Sequence, residues 1–194
     1  MASKNDVVIK FRTIEEAQKV VIPNITKELF SERDNLQKII AFSNESKISK
    51  LRKVYALTDK VAATIAPYMV CQKGCSACCH IDVDVSVIEA QYIQKNTGHK
   101  FLDNDKRSSP KGERRPCTFL NGETCSIYEN RPFPCRVYFT IDNPIYCEDN
   151  DKIHSTYGSQ SNTIFRNLGE MIIRLNDNSA YCRDIRDYFP PSKE

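Results

Sequence analysis

Cys71-Gln72-Lys73-Gly74-Cys75-Ser76-Ala77-Cys78-Cys79 places four thiols within nine residues, and the reading of this stretch decides what kind of fold surrounds it. It has no apolar period, and Gly, Ser and Cys together favour a tight loop with Gly74 at a turn. Two residues separate Cys75 from Cys78, a gap that lets backbone wrap one metal while both sulfurs reach it, as in zinc and iron–sulfur sites. Cys78 and Cys79 are adjacent, so their side chains diverge and one of them can face a second metal, bridge within a cluster, or simply pack. Outward from this loop the thiols continue as Cys117, Cys125, Cys135 and Cys147. Cys182 stands apart, and the first seventy residues hold none. In an exported chain such density reads as a disulfide framework. The start, Met1 to Lys10, offers only three consecutive apolar residues where a secretory leader needs about 7–15, so the cytoplasm is the expected compartment. Dense thiols in a reducing compartment bind metal or do redox work. The candidate metal ligands are therefore Cys71, Cys75, Cys78, Cys79, Cys117, Cys125, Cys135 and Cys147.

The flanks supply the regular structure. Upstream, Asn24 is placed to cap a helix carrying Ile25, Leu29, Leu36 and Ile40 on one face. A second helix follows, with Leu51, Val54, Thr58, Val61, Ile65 and Met69 at three- and four-residue steps and Lys50, Lys53, Asp59 and Lys60 on its outer side. Pro67 bends or ends it. Downstream of the loop, Ile81-Asp82-Val83-Asp84-Val85 alternates as a short strand does, and Ser86-Val87-Ile88-Glu89 has capping-box spacing for a helix to about Asn96, closed by Gly98. Residues 99–116 read as an exposed polar loop whose basic group, Lys106, Arg107, Lys111, Arg114 and Arg115, is interspersed with acids. A last helix is expected over Thr163–Leu175, and the tail after Asp187 is expected to be loose. The fold class is mainly α with an irregular, loop-rich cysteine-cluster core and few short strands. Its expected organisation is an N-terminal helical region (1–70), a cysteine-cluster metal-binding module (71–147) and a C-terminal helix and tail packed on the module (148–194), together one compact domain.

Composition excludes more than it assigns. A chain of 194 residues with 40% hydrophobic and 27% charged content suits a globular protein, and no apolar run approaches the eighteen or so residues of a membrane span. The net charge of +3, from 28 basic against 25 acidic residues, is too balanced to indicate nucleic acid. The six glycines never gather into a phosphate-cradling loop. His80 and His154 are secondary candidates for a mixed sulfur and nitrogen site, whereas Asp82 and Asp84 are poor donors for a thiolate-selected metal. Arg131 and Arg136 flank Cys135 and either donate to sulfur or pair with Glu129 or Asp142. Tyr128 and Phe133 are expected to wall the site from water, Glu89 to cap its helix, and Cys182 to be a buried free thiol.

In order along the chain, the opening cluster is followed by Glu89-Ala90, Cys117-Thr118-Phe119-Leu120, Cys125-Ser126-Ile127-Tyr128 and Arg131-Pro132-Phe133-Pro134-Cys135-Arg136. This ordered set, spanning about residues 71–147, resembles the CxxCxxCC family of zinc- or iron-chelating bacterial cysteine-cluster proteins. One departure is that three residues, not two, separate Cys71 from Cys75, so Cys71 stands one position further out than the pattern sets it. The resemblance implies zinc or iron as cofactor, including a 4Fe-4S cluster, and an iron–sulfur oxidoreductase. A flagellin lysine methylase is similar in its cysteine motif, which implies cluster-dependent modification of a protein substrate as a further activity class. The alternative is a structural zinc-binding module that meets a protein partner without catalysis.

Overall fold

The computed structural model describes residues 11–71, 74–102, 111–148 and 152–191. Among these, helix accounts for 52% and strand for 8%, the strands being short and confined to small sheets. The protein is mainly α, as its sequence predicts.

Three long helices form the scaffold: α2 (Lys27–Phe42), α3 (Lys47–Ile65) and α6 (Thr163–Leu175). Helix α6 spans the predicted range. Its buried stripe of Ile164, Phe165, Leu168, Met171, Ile172 and Leu175 recurs at helical spacing, and the Asn162 side chain caps it by accepting from the N–H groups of Ile164 and Phe165. Helix α3 buries Leu51, Val54, Val61 and Ile65, and Thr58 fits among them because its hydroxyl donates to the Val54 carbonyl at 2.7 Å. It ends at Ile65, and Pro67 falls in a 3-10 turn over Ala66–Tyr68. Two details depart from the sequence reading. Helix α2 starts at Lys27 with extended Thr26 in the cap position, so Asn24 and Ile25 precede it. Lys50 turns inward, its ammonium donating to the carbonyls of Ile40 at 3.0 Å and Ser43 at 2.8 Å, because the end of α2 leaves those acceptors without helical partners.

A short helix α1 (Ile14–Ala17) opens the described chain. After the cysteine loop, strand β1 (Asp84–Ser86) leads directly into α4 (Val87–Thr97). The capping box of Ser86 and Glu89 is formed, and Gly98 closes the helix in the left-handed region at φ 78°. Hairpin β2 (Leu120–Asn121) and β3 (Thr124–Cys125) comes next, then α5 (Phe133–Val137) and the pair β4 (Phe139–Thr140) and β5 (Thr156–Tyr157). Gly158 follows β5 where the chain passes the end of α5; a Cβ there would stand 2.6 Å from the Val137 carbonyl oxygen, so only glycine permits the approach. Beyond α6, β6 (Cys182–Asp184) returns to pair antiparallel with β1, Ser86 opposite Cys182, and α7 (Ile185–Tyr188) ends the fold.

Two apolar cores result. The larger joins α2, α3 and α6 with Phe133 and Val137 of α5. The smaller gathers Val83, Val85, Ala90, Ile93, Phe119, Ile127, Ile185, Tyr188 and Phe189. Helix α4 serves both, turning Ile88 and Tyr92 to the first and Ala90 and Ile93 to the second. The C-terminal segment is accordingly not loose at its start: Tyr188 is 0% and Phe189 3% exposed, and Thr118 donates its hydroxyl to the Phe189 carbonyl. Two large aromatic rings bury more apolar surface than a frayed end surrenders in entropy. No helix among the described residues is long and apolar enough to cross a membrane.

Candidate metal centre

The cysteine loop is hung on β4 from its first residue. The Val70 N–H donates to the Thr140 carbonyl at 3.0 Å, and the Thr140 N–H points at the Cys71 sulfur at 3.1 Å. Gly74 turns the chain at φ 97°, and a 3-10 turn over Ala77–His80 presents Cys78 and Cys79. That turn then templates the downstream thiols. The Arg115 N–H donates to the His80 carbonyl at 3.1 Å and the Cys117 N–H to the Cys79 carbonyl at 2.7 Å. Hairpin β2–β3 sets Leu120 opposite Cys125, and the Leu120 N–H returns to the Cys117 carbonyl, so Cys117 and Cys125 flank one tight bend. Cys135 arrives on α5, whose first residue is fixed by a bond from the Phe133 N–H to the Glu89 carboxylate at 2.8 Å. Cys147 sits in a 3-10 turn over Pro144–Glu148, where Arg114 donates to its carbonyl at 2.8 Å and to that of Ala77 at 3.4 Å.

Seven of the eight candidate cysteines, Cys71, Cys75, Cys78, Cys79, Cys117, Cys125 and Cys135, line one chamber. Val83, Phe119, Ile127, Tyr138, Phe139 and Ile185 form its walls, with Tyr128 and Arg131 beside them. Cys147 is buried outside this lining. The chamber measures about 130 Å³, against the roughly 10–15 Å³ that one water-sized body needs by the same measure. Among the described residues, no histidine or carboxylate side chain lines it and sulfur dominates its donors, which suits zinc or iron and not a hard cation. All nine cysteines are free thiols. Among the described residues, no three Cys, His, Asp or Glu side chains converge on one point as a bound ion requires. Four sulfurs each about 2.3 Å from a single zinc would lie within about 4 Å of one another. Here they ring a space.

Burial shifts most thiols of the ring toward their protonated form. Burial pushes the Cys71 thiol up to about 12 and Cys117 and Cys147 up to about 11, and also raises Cys75 and Cys125. Cys135 is exposed as a residue, but the protein packed around its thiol still raises it. Cys78 goes the other way: a hydrogen bond from the Cys79 thiol outweighs burial and favours its thiolate.

The remaining candidates are placed away from the ring. His80 points Nδ1 at the Ser76 carbonyl at 3.3 Å, and His154 lies between Thr140 at 3.3 Å and the Tyr138 hydroxyl at 3.4 Å. Arg136 is buried, pairs with Asp59 at 2.6 Å, donates to the carbonyls of Glu129 and Arg131 and stacks on Tyr55; none of its predicted partners, sulfur, Glu129 carboxylate or Asp142, is the one it takes. Arg131 does reach the chamber, stacked on Tyr128 and donating to the Tyr128 and Cys135 carbonyls. Tyr128 walls the site as expected, whereas Phe133 turns to the larger core. Cys182 is exposed on β6, not buried, because strand pairing fixes its backbone and leaves its side chain outside both cores. Glu89 caps α4 and also accepts from the Tyr55 hydroxyl at 3.0 Å, so one carboxylate ties α3, α4 and α5. Arg114, read as part of a solvated loop, points inward to the chamber's turns; Lys106 and Arg107 lie outside the described residues. The sequence reading missed Arg186, which is fully buried and joins Asp82 at 2.8 Å, Asp184 at 2.6 Å and the carbonyls of Arg115 and Ile81. Its only sequence signal was a charged pair near an aromatic end.

A sulfur-rich chamber assembled from an ordered series of cysteine segments is the observation that meets the sequence comparison. Residues 70–161 match the CxxCxxCC family. Its description is "Putative zinc- or iron-chelating domain". The CxxCxxCC segment therefore covers every candidate ligand and the turn that holds Cys147, and it runs on past His154. It supports metal chelation by this chain. No curated protein and no solved structure matches the chain.

Proposed function

We propose that the chamber is a redox centre whose thiolates hold an iron–sulfur cluster, drawn from Cys71, Cys75, Cys78, Cys79, Cys117, Cys125, Cys135 and Cys147. One observation carries this reading: the sulfurs surround a space of about 130 Å³ and do not converge on a point. A cluster brings its own atoms to fill such a space, whereas one zinc ion draws four sulfurs inward. When bound, a cluster supplies reversible electron transfer. The chain's own contribution is to keep water away with Phe119, Ile127 and Phe139, and to moderate the sulfur charge. Arg131 acts on Cys125 and Cys78 from the chamber wall, and the Thr140 N–H does so at Cys71. A reducing compartment, such as the cytoplasm, accords with nine free thiols. The test is chain purified without oxygen and without a metal-binding tag. Iron with acid-labile sulfide and a broad visible band is expected; stoichiometric zinc with no visible absorption overturns the redox reading.

The second reading, a structural zinc module that meets a protein partner, draws on the β2–β3 bend. There Cys125 ends the hairpin and Cys117, just before it, is tied to Leu120 through its carbonyl, the way closed zinc sites receive paired thiolates. The same elemental analysis separates the two.

A further inference from the structure

Behind the chamber wall, β4 and the start of β5 hold a series of polar side chains. Tyr138 and Thr140 stand two residues apart on extended backbone, and Asp142 follows β4 in a bend. His154, just ahead of β5, brings its imidazole among all three. The Asp142 carboxylate has no exposed surface; it accepts from the Thr140 hydroxyl at 2.8 Å and from the Ser155 N–H at 2.6 Å, and its Oδ1 stands 3.8 Å from His154 Nδ1. For the Thr140 hydroxyl hydrogen this carboxylate is a nearer acceptor than the Ser155 carbonyl at 3.3 Å. The Thr140 oxygen is then left to accept from Nδ1 at 3.3 Å. Both neighbours of Nδ1 are acceptors, so the proton of the neutral imidazole belongs there. Nε2 keeps its lone pair, 3.4 Å from the hydroxyl of Tyr138, which lines the chamber. The His154 side chain is 15% exposed, enough for solvent to reach the ring.

This arrangement has two states. A neutral His154 accepts the Tyr138 hydroxyl hydrogen at Nε2. Once a solvent proton occupies Nε2, that nitrogen donates, and the phenol turns its hydrogen away from the ring, on the side where the chamber and the Cys147 thiol lie. Negative charge added to the chamber favours the second state, and by reciprocity a proton on His154 favours the added charge. Other ionisable groups stand close by. Arg12, beyond Asp142, sends its guanidinium to the carbonyls of Ile141 and Tyr68; Lys152 lies two residues before His154; the Cys147 thiol stands against Tyr138 and Thr140. By side-chain type, His154 is the one that changes charge near neutral pH.

On the redox reading above, we propose that His154, held by Asp142 and linked to the chamber through Tyr138, takes up a solvent proton as the centre takes up an electron. A one-electron donor supplies the electron, the solvent proton forms the N–H bond at Nε2, and no other bond forms or breaks. Reduction grows easier as pH falls through about 8 to 5, and levels off beyond, where His154 is protonated or neutral in both redox states. The test is a reductive titration of the anaerobically purified full chain across that range, following the visible band, with proton uptake read by an indicator dye in weak buffer. About a tenfold change in the reduction equilibrium is expected, with uptake largest at mid-range. His154→Gln is expected to leave less than about a twofold change and no uptake, Tyr138→Phe to diminish both although the imidazole remains, and His80→Gln to keep both. Iron content and helix signal are checked in each variant. A coloured chain whose potential ignores pH, or a His154→Gln variant with the dependence intact, overturns the coupling and leaves the redox reading standing. Should His154→Gln lose its iron, Tyr138→Phe, which removes one hydroxyl, still decides: an undiminished dependence there overturns the link. Zinc with no visible band overturns the redox reading itself, and the coupling with it.

Discussion

The helical scaffold and the cysteine half of this molecule are held together by different physics. In the scaffold, α2, α3 and α6 bury a continuous apolar cluster with six side chains of α6 alone, and polar links between the helices, such as Lys60 to Glu32, sit at its surface. In the cysteine half, the smaller core is supplemented by charged ties: Arg186 bridging Asp82 and Asp184, and Arg114 pinning two turns. Regular helices need only periodicity and burial, while loops that must present sulfur cannot also be apolar. What they lack in burial they make up through buried cations and, on the reading proposed above, through metal.

Removal of metal is the largest expected perturbation. Thiolate metal binding in small domains contributes on the order of 10 kcal/mol. A strong chelator should abolish hydrogen-exchange protection in residues 111–127 and leave that of α3 and α6 standing; simultaneous loss in both halves would show that the distinction is false. Next, Arg186→Leu leaves Asp184 buried without its partner and is expected to cost about 3–5 kcal/mol by denaturant unfolding of the loaded chain. Leu168→Ala, at a position with no exposed surface, is expected to cost about 2–5 kcal/mol and to do so equally with and without metal. A metal-dependent cost there would blur the boundary between the halves.

Acid should act on the cysteine half in two ways. Burial works against the Asp184 carboxylate, but hydrogen bonds from the Arg186 side chain and from the Arg186 and Val83 N–H groups outweigh it and hold the carboxyl below its ordinary value. Its contribution is therefore present above the unfolded value of about 3.9 and lost as pH falls through the lower folded value. The raised thiols act at higher pH, since Cys117 and Cys147, near 11, would have to release protons to serve as the ligands proposed above. Metal affinity should thus weaken as pH falls, and isothermal titration in buffers of differing ionisation enthalpy should read more than one proton released per ion; no release would contradict that shift toward the protonated form. The smallest effect belongs to Cys182→Ser. Exposed and outside both cores, it should alter stability by no more than about 0.5 kcal/mol and leave bound metal unchanged.

Legibility followed periodicity. The range of α6, the capping box of Ser86 and Glu89, the Gly98 stop and the end of α3 shortly before Pro67 were all readable because each is set by neighbours within about four residues. Lys50 and Arg136 were misjudged for the converse reason: their partners, the end of α2 and Asp59, are fixed only when helices dock. The same holds for Tyr188 and Phe189, whose burial depends on α4 and the β2–β3 region forming a second core beneath them. Within the site, chain order marked the cysteines as a group, but it carried no hint that Cys147 sits behind the lining or that Arg186 braces it.

The sequence by itself determined the chemistry class, because soft donors at such density admit few roles, and it determined the helices, because burial and caps act locally. Only the tertiary structure decided the arrangement of the sulfurs. Segments more than thirty residues apart meet through single backbone bonds, such as that between Cys117 and Cys79, and no local pattern encodes a bond that forms only once two loops have been brought together by the cores on either side.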